Sequence, residues 1–368
     1  MAELDQQLAA IEASVRVDPA RRGLLSNAAD TPLGLGELAA AARDLAGHGR
    51  DVAIVTGFAI PTTSGPLPET DGPPGAALLA DICRQLGMRV RLVTDALAQN
   101  AVRIAARHAG LPVTDVEACP LDPAAAADWC TGFLDRSPDL THLIAIERPG
   151  PNHTAESIFA VAGRDACDDF CALVAASDRD ACHNMRGENI GRHTAPLHLL
   201  FKGAKVRRPD GVKVHRSKGA KAIDSAPNSS HLHTFAPSHS FHSIGIGDGG
   251  NEIGMGKFSW EALPPLIAGG HGRRIACRIA TDACIISGTS NWGAFALGAA
   301  LAMLRDRPEL IAAWTAQRHL DLLVELVEHG PAVDGVTRER TATVDGLPFL
   351  TYIQPWETIR GTWRMQPA

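Results

Sequence analysis

Residues 243–256 read SIGIGDGGNEIGMG, and six of the thirteen residues from Ile244 to Gly256 are glycine. Asp248, Asn251 and Glu252 keep polar side chains in that gap. Glycine lets backbone come close to a ligand, and successive N–H groups in such a loop form an anion cradle. Gly249 and Gly250 are the natural cradle positions. Two acids four residues apart in a tight loop can share a cation or divide acid and base duties. The bland alternative is a turn with solvated acids, but a long glycine run loses much chain entropy on folding. Gly245, Gly247 and Gly250 spell the GxGxxG dinucleotide fingerprint. That motif also needs a helix starting within it and an acid about 20 residues on. NEIGMG breaks any helix, and Asp282 lies too far along. With no GxxxxGK[ST] either, no nucleotide cofactor is expected.

Other polar groups follow apolar runs. Thr56 and Gly57 end DVAIVTGF, with Glu69 and Asp71 beyond in LPETDGPPG. Glu147 and Arg148 end THLIAIER, and Ser290 and Asn291 follow ACIISG. In open parallel sheets ligands bind beyond the carboxyl ends of strands, so these segments could converge on one cleft. Structural readings stay open: Glu69 and Asp71 as turn and cap residues, Glu147–Arg148 as an ion pair, Ser290 as a helix cap.

These loops need strands and helices to hold them. Helical spacing covers most of residues 2–48, in LDQQLAAIEA and LGELAAAARDLAG. DVAIVTGF, RVRLVTD, TDVEACP and THLIAIER read as strands, alternating with AALLADICRQLG, ALAQNAVRIAARHAG and DPAAAADWCTGFLDR as helices. Asp122 and Pro123 are a helix-start signal. The proline-rich PTTSGPLPETDGPPG reads as a loop. Later, HSIGIG, RRIACRIA and ACIISG read as strands, and ESIFAVAG, APLHLLFKGAK, NWGAFALGAALAML and LIAAWTAQRHLDLLVELVEHG as helices. DGVTRERTATVDGLPFLTY reads as a small hairpin. Strand–helix alternation means an α/β fold, mostly parallel, with helices on both faces. A single domain over 1–368 is expected, with lobes 1–150 and 183–368 around a cleft and 151–182 as a variable connector.

The chain has 368 residues, 45% hydrophobic, with a net charge of −6. That supports a large core and no general nucleic-acid surface; the basic run 202–221 reads as a solvated loop. No apolar run reaches the roughly 18 residues of a membrane span. The acidic, amphipathic start MAELDQQLAAIEASV is unlike a targeting peptide. Eight cysteines without a CxxC read as reduced core residues of a cytoplasmic protein. The histidines show no metal spacing, and His231 and His233 read as loop residues. A closed symmetric dimer is the base-rate assembly.

With these elements in place, the chain resembles the D-glutamate cyclase family, in particular its C-terminal domain. The stretches that carry the resemblance are VTGF (55–58), ETDGPPGA (69–76), LIAIERPG (143–150), NMRG (184–187), GIGDGGNEIGMGK (245–257), TD (281–282), SNWGAFAL (290–297) and VDGVT near 333. They span roughly 50–150 and 183–350. GDGGNEIGMG and ETDGPPGA are long and specific; the others are individually weaker. The resemblance implies an enzyme, cytoplasmic or mitochondrial, that closes free D-glutamate to 5-oxo-D-proline and water with a divalent metal such as manganese. On that expectation Asp248 and Glu252 are acid/base groups or metal ligands, with Glu69, Asp71 and Glu147 as further catalytic acids. Arg148 and Arg186 would hold carboxylates, aided by Lys257 and the amides of Gly249 and Gly250. Thr56, Gly57, Asn184, Asn251, Ser290 and Asn291 would orient the small amino-acid substrate. Two rivals share this inventory: a cyclase or lactam hydrolase acting on another acidic amino acid or hydantoin-like ring, and a non-catalytic binding protein for an amino acid or nucleotide.

Overall fold

A computed structural model describes residues 2–25, 32–202 and 241–364. The basic run from 203 to 221, and His231 and His233, lie outside them. Helices α1 (Ala2–Val15) and α2 (Glu37–His48) precede strand β1 (Asp51–Thr56). Next comes a hairpin, β2 (Ala59–Thr62) and β3 (Gly65–Pro68), where a loop was expected. Its prolines are tolerated because a two-stranded ribbon demands few ladder N–H groups. The alternation continues through α3 (Pro73–Gln85), β4 (Arg89–Asp95), α4 (Gln99–His108), β5 (Val116–Cys119), α5 (Pro123–Asp135) and β6 (His142–Ile146). Asp122 caps α5, accepting from the Ala125 N–H at 2.9 Å.

The second half holds α6 (Ala155–Leu173, kinked at Gly163), α7 (Leu199–Lys202), β7 (His242–Gly247), α8 (Gly272–Ile275) and β8 (Ala283–Ile286). It ends with α9 (Ser290–Leu304), α10 (Glu309–Ala312), α11 (Ala316–His329), α12 (Phe349–Tyr352) and α13 (Gln354–Arg364). RRIACRIA does not form the expected strand. It starts as α8 and then runs extended against the glycine loop, where the Cys277 N–H donates to the Gly250 carbonyl at 2.9 Å. The tail does not form the expected hairpin either. Asp334 accepts from the N–H groups of Val336, Thr337 and Gly346, satisfying backbone that a ladder would otherwise pair. Only a single Val344–Leu347 bridge remains there before α12.

Six strands form one sheet in the order β5-β4-β1-β6-β7-β8, and every pairing is parallel. Both faces are covered, as all-parallel sheets require. Val52 and Ile54 of β1, with Ile144 and Ile146 of β6, face a core built by α1, α2, α3, α4, α9 and α11. Ala53, Val55, Leu143 and Ala145 face the opposite core, under α5 and α7. This period-two division of one apolar run is what a strand buried on both sides shows. Helix α9 is buried on every side from Ser290 to Met303, consistent with its nearly uncharged sequence. Among the described residues no helix is long and apolar enough to cross a membrane.

Candidate active site

From β1 the chain moves outward through β4 and β5, then returns to β6 on the other side of β1. The β1/β6 boundary is therefore the switch point, where open α/β sheets bind ligands. The sequence-selected carboxylates gather there. Glu147 follows β6, Asp248 follows β7, and Glu69 and Asp71 enter from the link between β3 and α3. All are buried: Glu69 is 4% exposed, Glu147 2%, Asp248 2% and Asp71 0%.

Two helices fix this edge by capping each other. Asp71 accepts from the Ser290 and Asn291 N–H groups, both at 2.8 Å, at the start of α9. Asn291 accepts from the Gly72 and Gly75 N–H groups, at 3.0 and 2.7 Å, at the start of α3. Each side chain thus satisfies donors that the other helix leaves orphaned. The N-cap of α9 is Thr289, not Ser290. Ser290 is thereby free to donate from Oγ to Glu147 Oε2 at 2.6 Å. Glu147 itself has φ 44°, a left-handed backbone that non-glycine residues adopt at some cost.

The glycine loop is folded around its own acid. Glu252 accepts from the N–H groups of Asp248, Gly249 and Gly250, at 3.2, 2.8 and 2.8 Å. The loop amides are therefore committed to Glu252 and do not form the expected cradle for substrate. The glycines make that approach feasible: a Cβ on Gly247 would lie 2.8 Å from Glu252 Cδ. Asn251 donates to the His183 carbonyl at 2.7 Å, while its Oδ1 is buried without a donor.

Arg22 and Asp345, absent from the sequence-derived candidates, complete the cluster. Arg22 bridges Asp248 (Nη1 to Oδ1, 2.6 Å) and Asp345. Beside them lies a cavity of about 250 Å³. Its walls include Phe58, Ile60, Glu69, Glu147, Asn184, Met185 and Asn251, and the arginines Arg21, Arg22, Arg186 and Arg338. Gly335 closes one side so tightly that a Cβ there would fall 1.7 Å from Glu69 Oε1.

Crowding of buried acids controls their protons. Burial, then Asp345 and Asp71, raise Glu69 well above the usual carboxylate range, against the pull of Arg22. Burial, then Glu252, Asp71 and Glu69, do the same to Glu147. Asp248 is raised by burial, with Arg22 opposing and Glu147 adding. Asp71 is pushed up to about 8 by burial and Asp345, against the N–H groups of Asn291 and Ser290. Arg22 is held well above its ordinary range: burial works against its charge, and Asp248 and Asp345 outweigh it. One guanidinium among so many carboxyls forces several of them to keep protons.

The same crowding fits a hard divalent cation. Oxygens of Asp71, Asp248 and Asp345 lie within 4.8 Å of one another, as do those of Glu147, Asp248 and Glu252. The Oδ2 atoms of Asp248 and Asp345 are buried without an N–H or O–H donor from another side chain or backbone. Ligand oxygens of the two carboxyls lie within 4.8 Å of each other, a spacing that a cation between them would suit. The donor set is all oxygen, which suits magnesium, calcium or manganese.

Two other candidates, Arg148 and Lys257, stand elsewhere. Arg148 is buried but turned away from the cavity, donating to Asp95 at 2.7 Å and to the carbonyls of Gly57 and Ala195. It therefore ties strand ends together instead of presenting a free cation. Lys257 pairs with Glu37 at 2.5 Å and with the Asp282 carbonyl, also away from the cavity lining. Asn184 lines the cavity while its amide holds the NMRG turn, accepting from the N–H groups of Arg186 and Glu188. Arg186 reaches across to the Val336 carbonyl at 2.6 Å. Thr56 is buried with its hydroxyl unpartnered. A sequence signal existed for Asp345: Val-Asp-Gly occurs twice, at 333–335 and 344–346, and both copies reach the site. Nothing local marks Arg22, which lies between helices.

The family described as D-glutamate cyclase-like, C-terminal, matches residues 11–165 and 215–359. The human protein named D-glutamate cyclase, mitochondrial, is 30% identical over 372 aligned positions. The alignment covers 94% of this chain and 50% of the human protein, so the chain spans about half the length of that relative.

Proposed function

The chain belongs to the D-glutamate cyclase-like family, and we propose that it closes free D-glutamate into 5-oxo-D-proline with loss of water. One observation carries this reading. Two buried carboxyls held well above their usual range, Glu69 and Glu147, share a cavity of about 250 Å³ with four arginines. That volume lies below the range of drug-sized pockets and suits a small amino acid. The arginines of that lining suit its carboxylates, and the acids suit its amine.

The reaction forms a bond between the α-nitrogen and Cδ and breaks a Cδ–O bond. The ammonium gives up two protons in becoming a lactam N–H, and the departing oxygen gains two to leave as water. Ser290 donates to Glu147 and orients its carboxyl, and a substrate ammonium bound beside it would draw the raised carboxyl back toward its ionised form by attraction of opposite charge. Glu147 is then the base for the ammonium, and Glu69 the acid for the leaving oxygen; the two exchange protons to complete the second transfer. Each such transfer contributes typically 10²–10⁴-fold. Arg186 and Arg338 of the cavity lining hold the carboxylates and bend the substrate, so that amine and Cδ start close together. Phe58 and Ile60 add an apolar surface to the cavity. A divalent ion held by Asp248 with Asp71 and Asp345, or with Glu147 and Glu252, would supply Lewis-acid polarisation of the reacting carboxylate.

The test is lactam formation followed by NMR, with D- and L-glutamate supplied separately, each with manganese and with chelator. Consumption of D-glutamate with stoichiometric 5-oxoproline is the expected result. A ligand-induced thermal shift without turnover under any of these conditions would overturn it in favour of a binding protein.

A further inference from the structure

At the amino-terminal edge of the sheet, a strand's length from the acidic cluster, sit three histidines and one aspartate that the proposed reaction leaves unused. His142 and His242 open β6 and β7 and are direct register partners. Their rings stack, with centroids 5.2 Å apart. The last turn of α2 lies over them and contributes Asp44 and His48, spaced i and i+4 and therefore on one helix face. His48 stacks on His242 at 5.6 Å and 3°. Asp44 sits among all three: Oδ1 is 2.8 Å from His48 Nδ1, and Oδ2 is 2.8 Å from His242 Nδ1 and 3.3 Å from His142 Nε2.

We propose that Asp44, His48 and His242 form a binding site for a zinc-class divalent ion that clamps the end of α2 onto β6 and β7. The three ligand atoms already lie within 4.8 Å of one another. Zinc bonds of about 2.0–2.2 Å in tetrahedral geometry ask for separations of roughly 3.3–3.5 Å. The 2.8 Å contact of the ligating Asp44 oxygen with its imidazole nitrogen must open by several tenths of an ångström. His48 has the freedom to do this, being 65% exposed at its side chain. His142 is buried and would stay outside the coordination sphere. It bridges Asp44 Oδ2 and the Thr141 hydroxyl (3.1 Å) and so orients the carboxylate, the arrangement that metal-ligating groups usually carry behind them. Three protein ligands leave a fourth position open toward solvent. The two-nitrogen, one-oxygen set is softer than the all-oxygen cluster at the other edge, so the two sites would select different ions.

The whole chain is stripped with chelator, returned to excess magnesium to occupy oxygen-only sites, and titrated with cobalt and then with zinc. One zinc-displaceable cobalt with a tetrahedral absorption spectrum is expected. His48→Ala and His242→Ala should each weaken it at least tenfold, and the double variant should abolish it, while Asp248→Asn leaves it in place. Lactam formation and far-UV circular dichroism of the histidine variants should match the parent. Should the His242 variant fail to fold, His48→Ala and zinc-induced shifts of the His48 and His242 ring nitrogens in the parent chain decide the matter. Unchanged cobalt binding in the histidine variants, or none in the parent, would overturn the proposal and leave the four residues as a hydrogen-bonded network.

Discussion

Asp71 and Asp44 lie at opposite edges of one sheet and are driven in opposite directions. Burial and Asp345 push Asp71 up to about 8. Asp44 is also penalised by burial, yet hydrogen bonds from His142 and His48 and the nearby His242 hold it down at about 2. The difference is one of company. At the carboxyl edge six acids, Glu69, Asp71, Glu147, Asp248, Glu252 and Asp345, crowd together with Arg22 paired to two of them, whereas at the amino edge one acid is met by three imidazoles. Parallel topology creates this contrast, because every β–α loop opens on the same side. A surplus of buried carboxyls stores protons for chemistry or calls for a cation. A balanced cluster instead ties elements together.

The largest effect should come from removing proton transfer at the crowded edge. Glu147→Gln and Glu69→Gln should each lower kcat by roughly 10²–10⁴-fold with smaller changes in KM, read by lactam production under saturating substrate. A loss confined to KM would make these residues binding groups and dissolve the acid/base half of the contrast. Next, Arg22→Met leaves Asp248 and Asp345 without their counter-ion. In chelator it should cost about 3–5 kcal/mol of stability, measured as a urea midpoint shift. A neutral result would mean that the acids there hold protons without help from Arg22.

The pH dependence of stability should separate the two edges. Asp71 keeps a proton in the folded state that the unfolded chain releases between 3.8 and about 8. Its contribution is therefore full below 3.8 and is lost as pH climbs toward 8. Asp44 behaves oppositely: its contribution is present above 3.8 and is lost as pH falls toward 2. In metal-free protein, Asp71→Asn should flatten the decline between pH 3.8 and about 8, and Asp44→Asn the loss between 3.8 and about 2. If both variants altered the same limb, the edges would not differ as described. The smallest effect belongs to Lys257→Ala. It removes a half-exposed pair with Glu37, worth about 0–1 kcal/mol, and should leave turnover unchanged.

Much of this was legible in the chain itself. Apolar runs such as DVAIVT and HLIAI, with helical spacing between them, specify a parallel sheet, because both periods are local properties of consecutive residues. The segments that end at the carboxyl edge follow from that order alone, and Glu69, Asp71, Glu147 and Asp248 were picked on it. The hairpin after β1, the missing strand at RRIACRIA and the irregular tail were not legible. There, proline placement and side-chain bonds from Asp334 override local propensity.

Assignment of partners was beyond the sequence. Residue types made Arg148 a substrate clamp and the glycine amides a ligand cradle. The folded chain gives Arg148 to Asp95 and the amides to Glu252. It brings Arg22 and Asp345, at opposite ends of the chain, onto one carboxylate cluster. Local sequence determines which groups are available and on which edge of the sheet they emerge. Which of them meet depends on contacts between residues hundreds of positions apart, and charge energies fall so steeply with distance and burial that only the packed structure decides them.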